Sequence, residues 1–401
     1  MSKWVEKELD KLCCIEKGDQ LNKLALEVSG TYPCINGGIE PSGYTEKYNR
    51  VEDTISISEG GNSCGYVNLM KQKFWAGGHC YTLKENSKLV DKIFLYCVLK
   101  YNQEKIMQLR VGSGLPNIQR NALAEYKIYY PEDIEEQKRI AAVLTKTDEL
   151  IEATQKLIDK QKNIKTGLMQ TLLTCGIDDK GVIRSRKTHK FKNSELGQIP
   201  VEWECVELGK ICSKIQDGTH FSPPTSLIGE FKYITSKNIR MTGLDLTDIE
   251  FVDKTHHDEI YKHCPVVYND VLLTKDGANT GNICLNSLKE EFSLLSSVAF
   301  IRGKKHVIRN GYIVFFFSTD KGQNLLTEQM SGNAITRITL TKIIGTLIVF
   351  PKSLEEQDRI VTILQQQDQI IKDLESEKQK YIDIKKGLMA DLLSGKVKVS
   401  V

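Results

Sequence analysis

The chain has 401 residues, of which 40% are hydrophobic and 27% charged, the balance of a globular protein with room for two or three domains. Its formal net charge is only +3, so a nucleic-acid binder built on it must gather its basic residues on one face. No apolar run approaches the roughly 18 residues of a membrane span. The N-terminal MSKWVEKELDKLCC lacks an apolar signal core, and the 11 cysteines are odd in number without a CxxC pair. The expectation is a reduced, cytoplasmic protein with cysteines in its core.

Trp4–Gly18 and Trp203–Gly218 begin alike, W-x4-L followed by a strand-like alternation and a glycine turn. Tyr32–Tyr44, YPCINGGIEPSGY, is rich in turn residues and reads as loop. Asp53–Val67 (DTISISEGGNSCGYV) matches Asp270–Ile283 (DVLLTKDGANTGNI) if Cys64 is counted as one extra residue. Each is a strand ending in a turn of small polar residues, which suits a phosphate contact and suits an ordinary hairpin equally well. It is not a nucleotide-binding P-loop, because the GK[ST] ending is missing.

Leu89–Leu109 reads as a helix with Ile93, Phe94, Cys97, Val98 and Tyr101 on one side, and Tyr312–Met330 is its counterpart. Tyr126–Tyr130 and Thr346–Phe350 read as short strands, and Pro131 and Pro351 separate them from the helices beyond. Thr174–Pro200 is basic and polar and reads as a connector.

The long repeat lies after each of those prolines. Ile134–Leu173 and Leu354–Leu393 align without a gap at an offset of 220, both opening on EEQ-x-RI and closing on GLM-xx-LL. From Pro131 and Pro351 onward 17 of 43 positions are identical, too many for two unrelated amphipathic helices. Ile140, Leu144, Thr147, Ile151, Thr154, Ile158, Gln161, Lys165, Leu168 and Leu172 follow a 4,3,4,3 spacing. So do Ile360, Leu364, Gln367, Ile371, Leu374, Lys378, Tyr381, Lys385, Leu388 and Leu392. That spacing is the coiled-coil signal, and neither helix can bury its stripe alone. About forty residues make a rod of roughly 60 Å.

With its doubled EEQ-x-RI…GLM-xx-LL helices, W-x4-L starts, YPCINGGIEPSGY loop and DGANTGN turn, the chain resembles, over essentially its whole length, the specificity subunits of type I DNA restriction–modification systems. The resemblance implies an α+β fold: two mixed α/β target-recognition domains joined by two long helices in an antiparallel coiled coil, with an internal pseudo-twofold repeat. The domains expected are 1–131 and 194–351, the helices 132–175 and 352–395, with a connector at 176–193 and a tail at 396–401. It further implies that each domain reads one half of a split double-stranded DNA target. The helices are expected to set the spacing and dock modification (methyltransferase) subunits, two per chain, with restriction–translocase subunits as further partners. S-adenosylmethionine, ATP and Mg are expected only in those partners, and this chain carries no cofactor of its own.

Base edges are read by Arg or Lys on guanine, Asn or Gln on adenine, and Ser or Thr on either. On that chemistry the DNA-binding candidates of the first domain are Asn36, Gly37, Ser42, Tyr44, Arg50, Asn62, Lys73, Asn117, Gln119 and Arg120. Those of the second are His220, Ser236, Lys237, Asn238, Arg240, Lys275, Asn279, Thr280, Thr336 and Arg337. Arg50, Lys73 and Lys275 are assigned to phosphates, which fix register without reading sequence. Catalysis is not expected: there is no DPPY- or NPPY-type motif, no GxGxxG after a strand and no Walker lysine. His256, His257, His263 and Cys264 match no zinc spacing. Two other classes compete with DNA specificity: a self-contained methyltransferase or nuclease, and a coiled-coil scaffold that binds only protein.

Overall fold

The structure is a computed structural model that describes residues 3–22, 24, 26–85, 87–112, 114–328 and 337–399. The chain forms two compact units that cut across the order of the sequence. Unit 1 takes Met1–Leu157 and Leu374–Val401, and unit 2 takes Ile158–Asp373. The long helices are therefore not separate domains: each begins in one unit and ends in the other, because its apolar stripe is part of both cores.

In unit 1 the elements are β1 (Trp4–Glu8), β2 (Cys13–Lys17), β3 (Tyr32–Ile35), β4 (Gly43–Thr45), β5 (Thr54–Ser58), β6 (Val67–Met70), β7 (Trp75–Ala76), β8 (Cys80–Glu85), α1 (Lys92–Tyr101), α2 (Gln103–Met107), α3 (Arg120–Ala124), β9 (Lys127–Pro131) and the start of α4 (Ile134–Leu172). An antiparallel sheet runs β2-β8-β5-β6, a smaller one β4-β3-β7 with β3 and β7 parallel, and β1 pairs with β9. Residues alternating into the larger sheet's inner face (Ile55, Ile57, Leu83) meet Phe94 and Val98 of α1. Ile140 and Leu144 of α4 join the same core.

Unit 2 repeats the plan. Its elements are β10 (Phe191–Ser194), β11 (Gly197–Pro200), β12 (Trp203–Glu207), α5 (Leu208–Ile211), β13 (Cys212–Asp217), β14 (Phe231–Ile234), β15 (Ile239–Arg240), β16 (Gly243–Leu244), β17 (Glu250–Val252), α6 (Lys254–His263), β18 (Val271–Thr274), β19 (Ile283–Leu285), β20 (Ser293–Leu294), β21 (Val298–Gly303), α7 (Asn310–Phe317), α8 (Asp320–Thr327), α9 (Leu340–Gly345), β22 (Leu347–Pro351) and α10 (Leu354–Leu392). Its larger sheets run β13-β21-β18-β19 and β17-β14-β20, and β12 pairs with β22. Each of these pairings has its counterpart in unit 1, including the parallel one between β14 and β20.

Four local expectations need correction. Tyr32–Tyr44 is not all loop, since its ends form the paired strands β3 and β4. Each expected helix before the turn to the last strand is broken in two, at Asn102 and around Ser318–Thr319, where the Thr319 hydroxyl caps α8 by accepting from Gly322 N. Met330, the expected end of the second, lies outside the described residues. The prolines do not stand apart from the strands: Pro131 pairs with Trp4 and Pro351 with Trp203. The connector carries the β10–β11 hairpin and a buried Arg184, whose guanidinium grips Glu356 at 2.5 and 3.1 Å.

The helical stripe is where the heptad spacing put it. Ile140, Leu144, Ile158, Leu172, Ile360, Leu364, Ile371 and Leu392 are buried, and Ile151, Leu168, Leu374, Tyr381 and Leu388 are half-buried. Within unit 1 the helices run antiparallel, with Lys385 Nζ 2.5 Å from Asp148 and Lys378 Nζ 2.6 Å from Gln155. Within unit 2 they do so again, through Gln367 to Gln161 (2.7 Å) and Lys165 to Asp368 (2.5 Å). The buried Thr147 and Thr154 satisfy their hydroxyls on the carbonyls of Val143 and Leu150.

The EEQ opening is the joint between domain and helix. Gln137 has no exposed surface; its Nε2 donates to the carbonyls of Leu89 and Pro131, and its Oε1 accepts from Asp91 N. Gln357 repeats this with Val307, Pro351 and Arg309. Replacing Gln357 by Ala strands three main-chain groups, one buried and two half-buried, and should cost about 1–3 kcal/mol. Gln366→Ala, on the exposed face of the same helix, should stay within about 0.5 kcal/mol. Urea unfolding of the two variants tests this; equal midpoints would remove the joint.

Candidate nucleic-acid interface

The two larger sheets end in the same turn, and their ladder registers fix the correspondence. Ile57 pairs with Val67 and Tyr81, and Leu273 pairs with Ile283 and Ala299. Glu59–Val67 therefore superposes on Lys275–Ile283 without a gap. The one-residue insertion expected at Cys64 is absent. Main-chain bonds agree one for one: Gly65 N to Ser58 O and Gly281 N to Thr274 O, Cys64 N to Gly61 O and Thr280 N to Gly277 O. Gly61 and Gly65 have φ of +79° and +88°, and Gly277 and Gly281 have +102° and +98°. These left-handed positions are what the turn demands of glycine, and they lock its length.

With the register fixed, an ion pair emerges that the sequence match had concealed, buried in unit 2 and open to solvent on its lysine side in unit 1. Lys17 and Asp217 are equivalent, since Lys17 faces Tyr81 and Asp217 faces Ala299. Glu59 and Lys275 are equivalent as well. In unit 1 Lys17 Nζ lies 2.7 Å from Glu59 Oε1, and the Tyr81 hydroxyl donates to the same oxygen at 3.0 Å. Burial, and then that bond, push the Tyr81 pKa up to about 12. In unit 2 the signs are exchanged: Lys275, 1% exposed, lies 3.3 Å from Asp217 and 2.8 Å from Asp276. Position 60 is glycine in unit 1, and its equivalent in unit 2 is Asp276, which also binds Arg337 Nε at 3.1 Å.

Several of the candidate residues lie around these turns. In unit 1 the carbonyl of Gly37, a buried residue, accepts from the hydroxyls of Ser58 (2.5 Å) and Ser63 (2.7 Å). Asn36 Oδ1 accepts from His79 N. Gly61 N donates to Pro116 O, and Gln119 Nε2 donates to Asn117 Oδ1 at 2.8 Å. Asn62 and Gln119 are exposed, and so is Arg120, whose Nε donates to Ile15 O at 3.2 Å. In unit 2 the turn residues Asn279 and Thr280 follow Lys275 and Asp276; Asp276 holds Arg337, and His220 Nε2 is 3.3 Å from Asp217, the other partner of Lys275. Ser236 N donates to Ser297 Oγ.

Other candidates lie elsewhere or are closed off. Lys275, expected on a phosphate, is buried in its ion pair. Asn238, 1% exposed, forms a capping box with Thr235 and donates to Asp245 O. Arg50 donates to Thr82 Oγ1, Asn49 O and Lys17 O, so it braces the sheet rather than standing free for a phosphate. Lys73 sits 4.7 Å over the Tyr48 ring, and Ser42 and Tyr44 belong to the β3–β4 hairpin. Lys237 is held by Asp248 and Glu250; burial opposes its charge, but those bonds raise its pKa. Arg240 opens the β15–β16 hairpin 3.4 Å from Asp245, whose carboxyl is held low mainly by Thr247. Thr336 lies outside the described residues.

Two readings rejected on sequence have a structural account. His257 is buried and stacked 3.8 Å over the Phe231 ring, and His256 Nδ1 is 2.7 Å from Asp253, the cap of α6. Among the described residues no group of three or more His, Cys, Asp or Glu side chains is placed to hold a metal ion. The cysteines are unpaired thiols, and burial pushes Cys13, Cys80, Cys97, Cys212, Cys264 and Cys284 up to about 12, which makes them inert core residues.

A duplicated α/β domain whose two copies share a backbone and differ in the polar residues at one sheet end defines a two-headed recognition protein. The type I restriction modification DNA specificity domain matches residues 1–162 and 200–385, and the chain belongs to that family. It is the specificity subunit of a type I restriction–modification system, a non-catalytic component with two DNA recognition domains. It is 24% identical over 386 residues to the type I restriction enzyme MjaVIII specificity subunit of Methanocaldococcus jannaschii, covering 93% of this chain and 88% of that one. It is 35% identical to a putative type I specificity subunit of Mycoplasma pneumoniae over 178 residues, 44% of this chain and 47% of that one. The fold matches the crystal structure of the S subunit from M. genitalium, with a TM-score of 0.70 at 23% identity over 98% of this chain and 96% of that one.

The exchanged ion pair yields a directional prediction. Removing both acids, D217A with D276A, leaves Lys275 charged and buried and should cost about 3–5 kcal/mol. K275M removes the charge instead and leaves acids that reach water, so it should cost clearly less. Denaturant unfolding ranks the two, and the reverse order would refute the pairing.

Proposed function

We propose that each domain reads one half of a bipartite duplex target through the sheet end built around its glycine turn. The observation that carries this is the equivalence of the two turns: one backbone, held by the same main-chain bonds, displays Gly60, Asn62, Asn117 and Gln119 in one domain and Asp276, Asn279 and Arg337 in the other. Varying the displayed groups on a constant frame is what base recognition requires. The scaffold that binds only protein is not favoured, given the DNA specificity family to which the chain belongs.

The helices serve on this reading as the spacer, since each is unbroken for 39 residues and contributes to both units. The modification subunits dock on them, two per chain, one for the stretch of paired helices in each unit. Restriction–translocase subunits join the same complex. S-adenosylmethionine, ATP and Mg act in those partners. No helix among the described residues is long and apolar enough to cross a membrane, and a DNA target suits a complex that works in the cytoplasm.

Inserting one four-residue helical turn after Thr154 lengthens α4 by about 6 Å. Methylation mapping with the assembled complex should then show a changed gap between half-sites, or no binding, with the same bases read. Different bases at an unchanged gap would refute the spacer.

Arg337→Ala addresses the readout itself. A lost base contact should relax one position by about 1–3 kcal/mol, and only within the half-site read by unit 2. A lost phosphate contact would instead weaken all sequences alike and flatten the salt dependence. Relaxation in both half-sites would contradict two independent readers.

A further inference from the structure

Asn117 and Arg337 occupy one position. Asn117 bridges Gly60 and Arg337 bridges Asp276, both antiparallel, and the next residues donate alike: Ile118 N to Glu59 O and Ile338 N to Lys275 O, each at 2.8 Å. Ile118 and Ile338 are both fully buried. Backbone and isoleucine thus perform the structural work at this point, and the side chain before the isoleucine is released from it.

Their chemistry differs in the way that base readout requires. Arg337 keeps 55% of its side chain exposed while its Nε is held by Asp276, which steadies the guanidinium and leaves Nη1 and Nη2 for a two-pronged contact. Asn117 is oriented by Gln119 through its Oδ1, which retains a second lone pair. Arginine pairs with guanine O6 and N7, and asparagine with adenine N6 and N7.

We propose that 117 and 337 are a single base-reading position shared by the two domains, with Asn117 selecting adenine in one half-site and Arg337 selecting guanine in the other. Asp276 is its positioning residue, and glycine at 60 is the matching absence of one. This rests on reading each domain as the reader of a half-site.

The position is transferable. Gly60 is not among the positive-φ glycines, and a Cβ there would meet only Pro116 O, at 3.7 Å, so N117R with G60D fits the unit 1 backbone. The full chain, assembled with its modification subunits, is used to select duplexes from a randomised pool. For N117R/G60D we expect one base pair of the first half-site to switch from adenine to guanine by about tenfold or more, with the second half-site unchanged. D276G/R337N should make the opposite switch in the second. R337K, which keeps the charge without the fork, should lose the guanine preference and retain overall affinity. Selection of the wild-type bases by the exchanged variants, preference kept by R337K, or uniform weakening on every duplex would each overturn the proposal. A wild-type complex that selects no two-part sequence would instead overturn the half-site reading beneath it.

Discussion

Gln137 and Gln357 enter the core without exposed surface, and each ties three main-chain groups from different segments: the end of a strand, the loop before a helix and the cap of that helix. An amide has both donors and an acceptor at one point, so glutamine does here what a purely donating or purely accepting side chain cannot. The direction in which α4 and α10 leave their domains is set by these bonds. In unit 2 the neighbouring Glu356 adds a second tie, accepting from Arg184, Trp203 Nε1 and Ile177 N, so that the connector, the first strand and the helix converge on one carboxylate. Buried ionised groups are tolerated only when paired and hydrogen-bonded, and this one is.

The long helices were legible in the sequence because a 3.5-residue period survives polar substitutions. Gln367, Lys378 and Lys385 occupy stripe positions, and each finds a partner on the facing helix. Much of the sheet was legible too, through the W-x4-L starts and the closing strands. The alignment of the turns was not. Matching EGGN to DGAN by identity places the acids together and forces a gap, whereas the register places Glu59 on Lys275. Identity favours like charges, but a pair across two strands constrains only the product of its charges. Asp53 and Asn269 carry the same lesson: both adopt positive φ, 55° and 70°, at the equivalent entry to the strand, although only one is acidic.

The candidate site was half legible. Residue types suited to base edges could be picked from polar loops, and Asn117, Gln119, Asn279, Thr280 and Arg337 do gather at the sheet ends. Composition gives no way to tell a displayed polar residue from one consumed by the fold. Asn238 is spent on a cap, Arg50 on three acceptors and Lys275 on two carboxylates. Each decision depends on neighbours distant in sequence, so it is settled by folding and not by local pattern.

The exchanged pair also shows how one frame tolerates two sets of charges. Lys17 with Glu59 and Asp217 with Lys275 occupy the same place with opposite polarity. A buried pair contributes little net stability but costs several kcal/mol when one member is lost. Reversing it moves one carboxylate at the sheet end, from Glu59 in unit 1 to Asp217 in unit 2, and unit 2 adds a second, Asp276, where unit 1 has Gly60. The side chain displayed beside them changes accordingly: Arg337 has an acid to steady it, and Asn117 relies on an amide. What steadies Arg337 is therefore not the direction of the pair but Asp276, an acid that stands where unit 1 has Gly60, so the displayed side chain can change while the pair beneath it keeps its place.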